Sequence, residues 1–163
     1  MADSTNTMKY PLTKMNFVVD ISGAGGGAFS EVTGMEATVD VIEFRQGNAN
    51  SLAPIKIPGL VKHGNVTLKY GYVTGTALKE WIIKCVSDTR GEKIEKKNIS
   101  IELVDISETA PQSITETASS SGITWTLKNA WVTKYSAPDL NASTSEVAIE
   151  TLEIAYEELT VAK

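Results

Sequence analysis

Two side chains of this sequence could act as a nucleophile and its base, Cys85 and His63, each the single residue of its type among 163. A cysteine attacks as the thiolate, which needs a cationic or basic neighbour to lower its pKa. Cys85 instead falls on an apolar stripe with Leu78, Trp81, Ile82 and Val86, spaced i, i+3, i+4, i+7 and i+8, where a thiol behaves as a small inert hydrophobe. His63 stands beside Gly64 after a Pro-Gly pair, which places it in a loop, and no nucleophile-elbow sequence accompanies it. A hydrolase built on either residue therefore lacks its partners. One cysteine cannot form an internal disulfide, and with one histidine it cannot fill a Cys/His zinc cage.

Gly23, Gly25 and Ala28 match the G-x-G-x-x-[GA] spacing. A dinucleotide site needs those glycines to open a helix whose N-terminus meets the pyrophosphate, whereas residues 29–32 and 34–44 continue as strand. No G-K-[ST] follows, so a P-loop is excluded, and the glycines predict a hairpin tip. The carboxylates Glu146, Glu150, Glu153, Glu157 and Glu158 precede Lys163 with no intervening basic residue. Acid–base or metal chemistry needs carboxylates converging in a cleft; spaced along one strand they predict a solvated face, or a contact surface for a basic partner. Trp81, Trp125 and Trp131 fit a ligand site on a β-barrel module, or a core and an interface. The sequons at Asn65, Asn98 and Asn141 are incidental without a secretory leader.

The elements that must position these residues are mostly strands. Alternation of period two runs through residues 15–22, 39–44, 65–70, 99–104, 123–127 and 131–135. The last two, separated by 128–130, predict a hairpin. One amphipathic helix is predicted over residues 75–88, capped by Thr74 or Thr76 and ended by Arg90 and Gly91. Residues 145–159 carry both periods: Val147, Ile149 and Thr151 alternate as in a strand, while Ala148, Leu152, Ala155 and Leu159 mark a helical face. The balance favours a long strand. The fold class is mainly β, an antiparallel barrel or sandwich with one packed amphipathic α-helix.

The length suits a single domain over residues 1–163 with a flexible N-terminal segment, 1–14, and a Ser/Thr-rich loop, 107–122. Fifteen Lys and Arg against twenty Asp and Glu leave a net charge of −5, and residues 82–163 hold the whole excess, eight basic against thirteen acidic. Specific nucleic-acid binding is not expected of such a surface. No apolar run reaches membrane-spanning or signal-peptide length, so stable membrane anchoring is not expected and synthesis in the cytoplasm is. No catalytic constellation, cofactor or metal site emerges. The chain reads as a part of something larger. Residues 46–60 form a long non-periodic connection with Leu52, Ile55, Ile57, Leu60 and two prolines, and a loop of this kind needs a cover, most simply a second copy of the protein.

Several stretches, in this order, resemble the inner-tube proteins of contractile phage tails and related injection systems. They are Phe17-Val-Val-Asp-Ile-Ser, Phe29-Ser-Glu-Val-Thr-Gly-Met-Glu, Glu43-Phe-Arg-Gln-Gly-Asn and Ile57-Pro-Gly-Leu-Val-Lys-His-Gly-Asn-Val-Thr-Leu-Lys-Tyr-Gly. Trp81, Asn129-Ala-Trp-Val-Thr-Lys-Tyr and Ser145-Glu-Val-Ala-Ile-Glu-Thr-Leu-Glu-Ile follow, so the likeness spans about residues 15–158. Two departures stand out: Tyr70 occupies a position often basic in that family, and 107–122 is longer than the usual turn.

The resemblance implies a non-enzymatic subunit whose hexameric rings stack into a hollow, rigid tube inside a contractile sheath, driven through a target envelope with cargo in its lumen. It implies that 145–159 is strand. It also makes 46–60 an inter-subunit loop, with Arg45, Asn48, Leu52, Pro54, Ile55, Ile57, Pro58 and Leu60 as contact residues. Glu146, Glu150, Glu153 and Glu157 are then candidates for contact with basic sheath residues. The implied partners are the protein itself, the sheath, baseplate and spike proteins, terminator proteins and cargo effectors, in a tail-like particle released on lysis. The nearest alternative keeps the fold as a type VI secretion ring or carrier.

Overall fold

The computed structural model describes residues 12–27, 29–48, 50–71, 77–87, 93–104 and 122–162. Most of the predicted N-terminal segment and of the Ser/Thr-rich loop, and the proposed helix caps Thr74, Thr76, Arg90 and Gly91, lie outside those residues.

Most alternating stretches of the sequence send one set of side chains inward; 39–44 does not. Strand β1 (Phe17–Ile21) buries Val19 and Ile21, and turns at Ser22–Ala24 into β2 (Gly25–Gly27). Gly23 and Gly25 there adopt φ of 75° and 76°, a region closed to most side chains. The glycine-rich motif is therefore a hairpin tip, and no helix follows it. β3 (Phe29–Thr33) comes next, then β4 (Ala37–Phe44) and β5 (Ile55–His63). β6 (Val66–Gly71) turns Val66, Leu68 and Tyr70 into the core.

The predicted helix is present as α1 (Ala77–Val86) and buries Leu78, Trp81 and Ile82; residues 75, 76 and 88 of the expected span lie outside the described residues. Each large side chain buried is worth about 1.5–3 kcal/mol. The Trp81 indole N–H also donates to the Glu95 carbonyl at 2.7 Å, so the ring's polar edge is satisfied.

β7 (Lys97–Leu103) precedes a strand of 14 residues, β8 (Ile123–Ser136), where the sequence predicts a hairpin. Asn129 accounts for the difference. It sits at φ 52°, a conformation Asn tolerates, and shifts the inward set from Leu127 to Ala130 and Val132. Its N–H donates to Asn98 Oδ1 at 3.2 Å, and the Lys128 carbonyl accepts from the Glu157 N–H at 3.0 Å. With the backbone satisfied by neighbours, the chain bends without reversing.

Residues 145–159 contain no helix. They enter β9 (Ile149–Ala155), which leads after Tyr156 and Glu157 into β10 (Glu158–Ala162). β9 pairs with the second half of β8, and β10 with the first. This is one long antiparallel path interrupted beside Asn129, close to the single strand expected.

All described pairings are antiparallel. The main sheet runs β2-β1-β7-β8-β9-β6-β3, with β10 alongside β8, and α1 packs on β8. β4 and β5 form a separate two-stranded ribbon. Residues 55–60, expected to be loop, thus belong to a strand. Their apolar residues are not confined to alternate positions, and that hides the strand from any periodicity.

Candidate assembly surface

The ribbon continues the β3–β6 pair outward. Thr33 pairs with Thr67, and after the connectors at 34–36 and 64–65 Ala37 pairs with His63. Gly34 makes the exit possible. Its φ is 87°, and a Cβ there would lie 2.4 Å from the Asn65 carbonyl oxygen, so any other residue meets both strain and backbone.

Directly opposed residues share a face of an antiparallel pair, and the ribbon's register assigns its apolar side chains to both faces. Phe44 opposes Ile55 and Ile42 opposes Ile57 on one face; Val41 opposes Pro58 and Val39 opposes Val61 on the other. The register shifts between Val39 and Val41, where β5 carries an extra residue beside Gly59 and Leu60. The apolar patch changes face between the Ile42–Ile57 and Val41–Pro58 pairs, and the extra residue keeps Pro58 and Val61 on one face. Ion pairs complete the pattern: Lys62–Asp40 at 2.7 Å lies near the foot on the Phe44 face, and Lys56–Glu43 at 3.8 Å lies near the tip on the Val41 face.

All eight predicted contact residues, Arg45, Asn48, Leu52, Pro54, Ile55, Ile57, Pro58 and Leu60, are exposed on this ribbon or its turn, with Leu52 84% and Leu60 77% accessible. Val39, Val41, Ile42, Phe44 and Val61 are exposed beside them. The sequence reading took 39–44 as an ordinary strand and gave Val61 no element. The signal that could have found four of them was the change of phase within 39–44, where Val39 and Val41 alternate about Asp40 but Ile42 and Phe44 alternate about Glu43, so that both faces carry apolar side chains.

The acidic candidates separate. Glu146 is exposed, Glu153 accepts from Asn65 Nδ2 at 2.8 Å, and Glu157 is held by Lys96 and by Asn129 Nδ2, the latter at 2.7 Å. Hydrogen bonds from Lys96 and Asn129 keep the Glu157 carboxyl below its ordinary range, and Lys128 does the same for Glu158. The sheet has brought these lysines to a run that has none nearby in sequence.

Glu150 is a correction. It is 0% exposed and points into the core on the same face of β9 as Leu152 and Ile154, so it cannot meet a sheath. The Tyr70 and Tyr135 hydroxyls and the Lys79 ammonium all donate to it. Lys79 also lies over the Tyr135 ring at 4.9 Å and donates to its hydroxyl at 3.1 Å. Burial alone would raise the Glu150 pKa, but the bonds from Lys79, Tyr135 and Tyr70 outweigh it and hold the carboxyl below its usual range. Burial likewise opposes the Lys79 charge, and the bonds to Glu150 and Tyr135 overcome it, so Lys79 is raised. Glu150 pushes Tyr135 up. Tyr70, the departure noted in the sequence, is thus buried in this network rather than displayed on a surface.

Cys85 and His63 are far from forming a pair. Burial pushes the Cys85 thiol up against a Val132 backbone hydrogen bond, the opposite of activation. His63 ends β5 rather than sitting in a loop, its ring 5.1 Å from that of Tyr156. Trp81 is spent in the core, and Trp131 lies under Lys96, 5.0 Å from its ammonium. Among the described residues no group of three or more His, Cys, Asp or Glu is placed to hold a metal ion, and no helix is long and apolar enough to cross a membrane.

A β-sheet subunit that carries an uncovered apolar ribbon on its flank is a component for assembly, completed by other chains. The comparisons give that class its identity. The profile described as T4-like virus tail tube protein gp19 matches residues 13–160. This chain belongs to that tail tube family. Its fold is shared with a chain of an extracellular contractile injection system, the PVC sheath-tube complex in the extended state, at TM-score 0.73 and 24% identity over 99% of this chain and 98% of that one. A chain of the PVC sheath/tube terminator in the extended state matches at TM-score 0.73 and 26% identity, covering 96% and 99%. A chain of the anti-feeding prophage tube terminating cap matches at TM-score 0.73 and 25% identity, covering 99% of each chain. A search of curated proteins found no match.

Proposed function

We propose that this tail tube protein forms the shaft of a contractile, phage tail-like injection particle, as hexameric rings stacked into a hollow conduit within a sheath. The observation that carries the proposal is the ribbon with apolar patches on both faces. A two-stranded ribbon is marginal on its own in water, and one flat surface can cover only one of its faces. Insertion between two further copies covers both. The main sheet offers a second device. Its terminal strands β2 and β3 are edges among the described residues, and joining edges within a ring leaves none open to wrong partners.

The same reading assigns Arg45, Asn48, Leu52, Pro54, Ile55, Ile57, Pro58 and Leu60 to contacts between subunits. It assigns Glu146, with Glu153 and Glu157, to salt-sensitive contact with basic residues of a sheath, where exposed pairs worth about 0–1 kcal/mol each can align the layers and still release on contraction. The work comes from the sheath, and the tube transmits thrust and conveys cargo without bond chemistry. Baseplate and terminator proteins would close the two ends of the stack.

Negative-stain electron microscopy of the purified protein tests the proposal. Rings or tubes are expected, and Leu60→Lys and Ile57→Lys should leave folded, unassembled subunits. A wild-type protein that stays a single subunit at high concentration, or a Leu60→Lys variant that forms tubes as readily as wild type, would overturn it.

A further inference from the structure

The two legs of the ribbon do not simply leave the main sheet; both stand on one side chain of β9–β10. Tyr156, in the interruption between those strands, is only 7% exposed. Its hydroxyl donates to the Glu36 carbonyl at 3.1 Å, at the foot of β4. Its ring lies 5.1 Å from that of His63, the last residue of β5, at an interplanar angle of 38°. His63 and Ala37 are the first pair of the ribbon, so Tyr156 touches both strands where they part from the sheet.

The connectors beside it, 34–36 and 64–65, are close-packed on each other but are not laddered. Each contains a glycine: Gly34 in the left-handed region, and Gly64, whose added Cβ would fall 2.5 Å from Glu36 Oε1. His63 Nδ1 is buried with no hydrogen-bond partner, so on that side its ring is held by packing against Tyr156 and by no polar bond.

We infer that Tyr156 is a positioning residue that fixes the angle of the β4–β5 ribbon in the free subunit, so that the ribbon is already aimed when it meets another copy. The inference rests on the ribbon being the contact between subunits. Holding it in one orientation before association removes an ordering cost at each joint. Tyr156 itself need never touch a neighbour.

The test uses the full-length chain, with spin labels at Gly47→Cys on the ribbon turn and Thr160→Cys on β10 in a Cys85→Ser background. Gly47 is chosen because an added Cβ there meets nothing within 4 Å. Distance distributions between the labels are measured by pulsed electron resonance in the unassembled subunit, beside hydrogen exchange of β1 and β7 as a gauge of the core. Tyr156→Phe removes one hydrogen bond and keeps the ring, and the misaimed population should rise about fivefold. Tyr156→Leu, which also loses the contact with His63, should show a broad or second distance and a higher concentration threshold for assembly, with β1 and β7 exchange unchanged. A single unchanged distance in Tyr156→Leu overturns the inference, and so does an assembly defect that only tracks faster exchange in the core. Leu60→Lys separates the two readings. If that variant assembles normally, the ribbon is not the contact; if it blocks assembly while Tyr156→Leu keeps the wild-type distance and threshold, only the aiming role fails.

Discussion

Glu150→Gln is the substitution with the largest consequence for the subunit itself. The Glu150 carboxylate is fully buried and takes donors from Tyr70, Tyr135 and Lys79, while the Lys79 side chain keeps 21% of its surface in water. Glutamine preserves the shape but removes the negative charge facing the Lys79 ammonium and offers an N–H₂ to groups that are themselves donors. Removing one partner of a buried ion pair costs about 3–5 kcal/mol. Because Lys79 retains some hydration, the lower end applies, about 3 kcal/mol. For a chain of this size each kcal/mol moves Tm by about 2–4 °C, a fall of about 6–12 °C. The assay is thermal unfolding of the unassembled subunit followed by the fluorescence of Trp81, which lies on the same helix as Lys79. Adding Lys79→Met should recover about half of the loss, since the double variant also removes the cation that lost its counter-charge. A single variant within about 0.5 kcal/mol of wild type, or a double variant whose cost is the sum of the two singles, would refute the account of this cluster as a coupled unit.

The same cluster sets the pH profile. The Glu150 pKa is lowered on folding, so its contribution is present above the ordinary carboxylate value of about 4.3 and is lost as pH falls through the folded value. Lys79 is raised, so its contribution is present below about 10.4 and is lost as pH rises through the folded value. Urea midpoints should form a plateau between those limits, and Glu150→Gln should flatten the acid flank. Gly34→Ala places a Cβ against the Asn65 carbonyl in a left-handed conformation and should cost about 1–3 kcal/mol or more, measurable by chemical denaturation; a neutral outcome would mean the connector relaxes freely. Glu146→Lys should weaken co-sedimentation with extended sheath and reduce its salt dependence, while subunit Tm stays within about 0.5 kcal/mol equivalent of wild type.

The sequence alone determined whatever depends on local periodicity. Val19 with Ile21, Val66 with Leu68 and Ile99 with Ile101 alternate because one face of each strand is buried, and α1 declares itself because its stripe repeats at helical spacing. The resemblance of its ordered segments pointed to the tail tube family, which the profile match shows. Tertiary structure decided what depends on neighbours distant in sequence. Asn129 and the Glu157 N–H turned an expected hairpin into one bent strand. Lys79, 71 residues away, drew Glu150 out of a supposed solvent face into the core, because a buried carboxylate is tolerable only where donors converge on it. The ribbon was hidden for the converse reason. Its apolar residues occupy both faces, so 39–44 read as an ordinary half-buried strand and 55–60 as a loop, and only pairing β4 with β5 shows that the patch crosses from one side to the other.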